Sequence, residues 1–278
     1  MVIIIGIAIT VILVIVIVQA IRKANSVKEY KNEGINNIIL LNSLINHIQE
    51  HRGLTIAWLN GDDSVKNKIE CLKVNISEKK QQLSITLVHK NERYEAFSDH
   101  WQRLFKLDKS TSISNSFDQH TMMIRNLAYL LEDTAEQFHL TTHYINELDN
   151  IGYVWRELIL AIESIGQCRA IGTGVATLKF CSSVDKIRLE FLIQRMTYLC
   201  EHTIQNLSYL EAEKANHSKL VKIATDSTNQ LISTMSKELV NTEKVTIDNS
   251  EYFSLASMAM SKMSAIFEHQ IKQVKSSI

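Results

Sequence analysis

The chain has 278 residues, 45% of them hydrophobic and 22% charged, enough apolar material for a sizeable core in one long or two short domains. Lys+Arg and Asp+Glu both number 30, so it has neither the basic excess of a nucleic-acid binder nor an acidic tail. Proline is absent and glycine numbers only 8, which argues against a turn-rich β architecture and predicts long helices with few breaks, an all-α fold.

Residues 2–18, VIIIGIAITVILVIVIV, carry no charge. With Gln19 to Ile21 the run reaches about 30 Å as a helix, one hydrocarbon thickness. It reads as an uncleaved transmembrane anchor over 1–21, because the positive n-region of a signal peptide is missing. Arg22, Lys23, Lys28 and Lys31 follow, and the positive-inside rule then places the body, 22–278, in the cytoplasm. The first helix is expected to run on to Leu59, with Asn60-Gly61-Asp62 as a turn and Asp62 or Ser64 as the next cap. A second helix is expected to about Leu107, a serine-rich loop over 108–116, and a third helix over 117–148. A fourth starts near Ile151 and continues through RAIGTGVAT; others cover 184 to the 210s and 219–240. After a break at VNTEKVTIDNS, a last helix covers 251–275. Helices of this length pack as antiparallel bundles, here two of four-helix type divided near the serine-rich loop.

Two arginines sit where core residues belong. Ile38, Leu41, Ile45 and Ile48 lead to Arg52 in steps of three and four, and Thr55 and Leu59 continue the seam. Ile151, Trp155, Leu158, Ile162 and Ile165 lead to Arg169 in the same way, and Gly172 and Ala176 continue it. Aligning LINHIQEHRGL with AIESIGQCRAI superposes Ile45 on Ile162, Ile48 on Ile165 and Arg52 on Arg169. Small residues follow both arginines, and Thr55 and Thr173 lie one turn beyond them as candidate hydroxyl donors. A buried guanidinium needs a negative partner. Either a carboxylate of the chain supplies it, or the head reaches solvent, or two guanidiniums hold one small planar oxyanion such as nitrate, nitrite or a carboxylate.

The stretches LINHIQEHRGLTIAWLNGD and AIESIGQCRAIGTG resemble the two arginine motifs of NIT domains, the nitrate- and nitrite-sensing domains of bacteria. VDKIRLEFLIQRMTYL and NSEYFSLASMAMSKMSAIFEHQIKQV are similar to later stretches of the same family, and the likeness spans about 34–275. The resemblance implies an all-helical sensor of two bundles that binds nitrate or nitrite between helices bearing Arg52 and Arg169. His51 and Cys168 stand where the family usually has glutamate before each arginine. No output module is expected after the sensor. The signal would pass to a downstream protein, to a homodimer, or through the anchor in a bacterial inner membrane. The rival reading is a ligand-free helical scaffold that recruits partners at the membrane.

No nucleophile and base are spaced for catalysis, so no enzyme and no cofactor are expected. The His47/His51 and His139/His143 pairs have i, i+4 spacing, and Glu136 lies three residues before His139, but no second such motif completes a metal site. The stretch GTGVAT lacks the strand and third glycine of a dinucleotide loop. Cys71, Cys168, Cys181 and Cys200 form no C-x-x-C pair and read as small buried residues of a reducing compartment.

Overall fold

The computed structural model describes residues 2–105 and 110–278, with the side chains given from Ile12 onward. Every regular element among these residues is helical. Helix α1, Val2–Leu59, is 58 residues long, about 87 Å at 1.5 Å per residue. It stops as the sequence predicts. Gly61 takes φ +101°, its amide bonds Trp58 O, and the Asp62 amide reaches back to Ala57 O. This is a Schellman stop, in which a left-handed residue lets the last carbonyls find donors. Asp62 then accepts from the Ser64 amide and starts the next elements.

Helix α2 covers Lys66–Ser84 and α3 covers Glu92–Leu104. The expected single helix to Leu107 is therefore corrected. Thr86 and Asn91 each turn a side-chain oxygen onto a backbone amide two residues on, at Val88 and Arg93, and so break the helix without glycine or proline. Residues 106–109 lie outside the described residues. Ser112 caps α4, Ile113–Gln137, through the Asn115 amide. This helix stops 11 residues short of expectation, at 137 rather than 148. His139 occupies the left-handed region (φ 58°) and its neighbours repeat the Schellman pattern, Leu140 N to Ala135 O and His139 N to Glu136 O.

Helix α5 spans Ile151–Leu178, with a π-helical turn at Val154–Leu158. Helix α6, Ser183–Tyr198, is capped by Ser182 and runs into a second π turn, Leu199–Thr203. Helix α7, Lys214–Thr234, ends in a third, Met235–Val240. Helix α8, Asn249–Ser276, is capped by Asp248, which accepts from two amides.

Helix α1 packs on α2 and α4, and α3 on α4; α5 packs on α8 and α6, and α7 on α8. Contacts of α5 with both α1 and α4 join the two groups. Both seams read from the sequence are core. Ile38, Leu41, Ile48, Leu158 and Ile165 are all fully buried, each contributing about 1.5–3 kcal/mol by removal from water. Among the residues whose side chains are described, α5 is also the one helix long and apolar enough to cross a membrane, yet 67% of its most apolar window is buried inside the protein. It is the central helix of the fold. In α1, by contrast, residues 12–29 are exposed on every face, and Ile12 to Val18 are 39–61% accessible. The body begins at Tyr30 and Lys31, which donate to Gln137 O and Tyr144 O. Cys71 is exposed, against expectation, while Cys168 and Cys200 are buried.

The small residues after each arginine have different reasons. A Cβ on Gly172 would overlap the ring of Tyr252, which is buried and bonds Cys168 O through its hydroxyl at 3.0 Å. A Cβ on Gly53 would meet nothing within 4 Å. Gly172→Ala is therefore expected to destabilise the fold by about 1–3 kcal/mol. Gly53→Ala should stabilise it by about 0.5–1 kcal/mol through helix propensity. Denaturant melts of the two variants check the opposite signs.

Candidate functional site

Arg52 projects from α1 into the interior and is 1% exposed. Its counter-charge comes from the chain itself. Nη1 donates to Glu163 Oε1 at 2.6 Å and Nη2 to Oε2 at 3.2 Å, a bidentate pair between α1 and α5. Nη1 also donates to Thr121 Oγ1 of α4 at 3.0 Å, and the guanidinium lies 5.3 Å from the centroid of the Phe117 ring. The carboxylate accepts two further bonds, from Gln49 Nε2 at 2.8 Å and Gln167 Nε2 at 2.9 Å. Gly166 makes the room, since a Cβ there would stand 3.1 Å from Arg52 Nη2. Of the three partners the sequence left open for Arg52, the structure places a carboxylate. Sequence reasoning did not single out Glu163. Its signal was present: it is the only acid in the 20 residues Ile159–Leu178.

One turn from this pair lies a second buried polar contact. His120 Nδ1 is 2.7 Å from Ser116 O, and a carbonyl only accepts, so that nitrogen carries the proton. His120 Nε2 is then an acceptor, and His51 Nδ1, 2.8 Å away, donates to it. This leaves His51 Nε2 as a bare, buried lone pair without a partner. Burial first, then the charge of Lys73, pushes His51 down to about 3. His120 is held well below its ordinary value by burial, then by His51, with Arg52 and His100 adding to it. Both rings are neutral at pH 7. Thr55, expected beside Arg52, instead sits 3.3 Å from His51 Nδ1.

Arg169 has a different environment. It is half-buried against α8, where Nη1 donates to Ser257 Oγ at 3.3 Å and the guanidinium lies 5.3 Å from the Phe253 ring centroid. Among the described residues no carboxylate lies within ion-pair distance of it. Burial lowers its affinity for the proton, and the like charge of Arg52 adds to that effect. Thr173, one turn on, has a buried hydroxyl oxygen without a partner. Arg52 and Arg169 therefore feel each other as like charges; Glu50 and Glu163 act on Arg169 from a distance and partly oppose that effect, but neither bonds it. One arginine is neutralised and the other is not.

Two clefts of the surface lie elsewhere. One of about 460 Å³ is lined by Ser77, Lys80, Trp101, Gln102 and Phe105. The other, about 370 Å³, lies between α7 and α8 around Asn216, His269 and Gln273. His139 and His143 pack on the Tyr144 ring. No group of three His, Cys, Asp or Glu among the described residues is arranged to hold a metal. No protein-family model, curated protein or solved structure matches the chain.

Removing one partner of a buried pair leaves the other charge stranded. Arg52→Ala and Glu163→Gln are each expected to cost about 3–5 kcal/mol, and joint replacement by Met and Leu much less than the sum. A double-mutant cycle from urea melts measures this. The histidines set a pH dependence. Between the ordinary 6.5 and about 3, the unfolded chain binds a proton that buried His51 refuses, so stability falls as pH drops through that window. His51→Leu should therefore lose about 2 kcal/mol less than the parent between pH 7 and pH 5, measured by denaturation at both pH values.

Proposed function

We propose that the protein is a membrane-anchored, all-helical sensor that takes a small planar oxyanion, nitrate or nitrite, at Arg169. The observation that carries the reading is the guanidinium of Arg169, half-buried and without a carboxylate in ion-pair contact among the described residues, with an unpartnered Thr173 hydroxyl one turn away. A planar fork beside a free hydroxyl matches the geometry of a planar oxyanion, and charge-assisted bonds are the strong ones. The resemblance of both arginine segments to NIT domains supports the same ligand class. Residues 1–21 serve as a transmembrane anchor in the inner membrane, supported by the uncharged run 2–18 and by the exposure of Ile12 to Val18. Residues 22–278 form the two-bundle sensor domain, on the cytoplasmic side by the basic residues that follow the anchor.

In this reading the two arginines have separate tasks. Arg169 receives the anion, and the added negative charge relieves its repulsion with Arg52. Glu163 lies six residues before Arg169 on α5 and grips Arg52 of α1 with both oxygens. A displacement of α5 is passed through that grip to α1 and along it to the membrane, and from there to a signalling partner.

The Arg52–Glu163 pair also favours a second reading, a ligand-free scaffold at the membrane, because it satisfies the deepest arginine without any ligand. Thermal melts of the full chain in detergent separate the two. Nitrate or nitrite should raise the melting temperature beyond an equal concentration of chloride. Arg169→Ala should weaken the anion about tenfold to a hundredfold, equivalent to the loss of about 1.5–3 kcal/mol. A parent protein that nitrate and nitrite shift no more than chloride does would leave only the scaffold.

A further inference from the structure

Helix α6 presents an apolar stripe that nothing among the described residues covers. Val184, Ile187, Phe191 and Tyr198 are 58–67% exposed. They recur in steps of three, four and seven, which is one face of a helix with the spacing of a coiled-coil seam. Leu178 and Phe180, just before the helix, are 70% and 65% exposed. Together these six side chains open roughly 700 Å² of apolar surface, against about 800 Å² per partner in a stable interface. Single exposed apolar residues are ordinary, but a contiguous patch of this size on a monomer is not.

We infer that this face is the seam of a parallel homodimer, in which α6 pairs with α6 of a second copy. The charges beside the stripe choose both the partner and the direction. With Val184, Phe191 and Tyr198 at the first core position of a heptad and Ile187 at the second, Glu190 and Arg195 take the flanking positions. In a parallel pair these positions face each other across the seam, so Glu190 meets the partner subunit's Arg195, twice by symmetry. Both groups are free for this. Neither has an ion-pair partner among the described residues. Arg195 is more than half buried, with the like charge of Arg125 beside it. Glu163 and Glu157 of its own chain oppose that charge from a distance, and a carboxylate from a second copy adds a direct partner. The twofold axis of a parallel pair runs along the two helices, so both copies of α1 keep the same sense along it. Neither the oxyanion nor Arg169 takes part.

The test uses the full chain in detergent with Cys71→Ser, which removes the exposed native thiol. Light scattering should give a dimer. Phe191→Glu should convert it to a monomer with unchanged helical content, since the side chain it replaces is 58% exposed. Val184→Cys and Tyr198→Cys should each form a disulfide with the same residue of the second copy, as only a parallel seam allows. Glu190→Arg should weaken the dimer at least tenfold, and Glu190→Arg with Arg195→Glu should restore it. A monomeric parent, a dimer that survives Phe191→Glu, or crosslinks only between position 184 and position 198 would overturn the proposal. So would a monomeric parent whose stripe is protected by lipid vesicles.

Discussion

The fold depends on the solution to one electrostatic problem. A guanidinium at 1% exposure has lost its water, and so has the Glu163 carboxylate beside it. Their mutual attraction offsets that loss only when the geometry is good and the remaining lone pairs are filled. The geometry is good and the carboxylate is well supplied with donors. The fork engages both carboxylate oxygens, and Gln49, Gln167 and Thr121 add bonds from three helices, while Arg52 Nε and Gln49 Oε1 stay without a partner. Each member constrains where α1, α4 and α5 sit relative to one another. Gly166 is fixed by the same contact, because any side chain would press on Nη2. Apolar side chains tolerate small slips between helices. A bidentate pair with matched hydrogen bonds does not, so this cluster sets the register between the two helix groups.

The histidine pair extends the polar layer away from the ion pair. Gln49, His51 and Arg52 lie on the same turn of α1, so three buried polar side chains must find partners on different helices. Gln49 and Arg52 take α5, while His51 takes α4 and packs its ring edge-on to Trp101 of α3. Burial keeps both rings neutral, with Lys73 adding to the effect at His51 and Arg52 at His120, which lets one donate and the other accept. The layer therefore carries a single compensated ion pair rather than a cluster of cations.

The asymmetry between the two arginines follows from position along α5. Glu163 grips Arg52 of α1 and makes no ion pair with Arg169, which turns toward Ser257 and Phe253 of α8. The proposed anion site and the rigid node are thus neighbours on one helix with opposite electrostatic states. One is paired with a carboxylate and one is not. That arrangement suits a sensor better than a symmetric clamp would, because a ligand acts on the open group while the closed one transmits.

Much of the helical pattern was legible because it is local. The end of α1 at Leu59, the Asp62 cap, the span of α5 and the break before α8 follow from periodicity and capping residues a few positions apart. So did the burial of Arg52, since a step of three or four along a seam is a statement about one helix face. The breaks at Thr86 and His139 escaped because capping by threonine, and a histidine in the left-handed region, leave no glycine or proline to read. The identity of each arginine's partner was beyond reach for a different reason. Arg52 and Glu163 are 111 residues apart, and their meeting depends on the rotation and offset of two helices about their axes. Periodicity fixes which face of a helix is buried and is silent on which residue of another helix will face it. The sequence determined an all-helical chain with two arginines on core faces; only tertiary packing decided that one would be neutralised from within and the other left open.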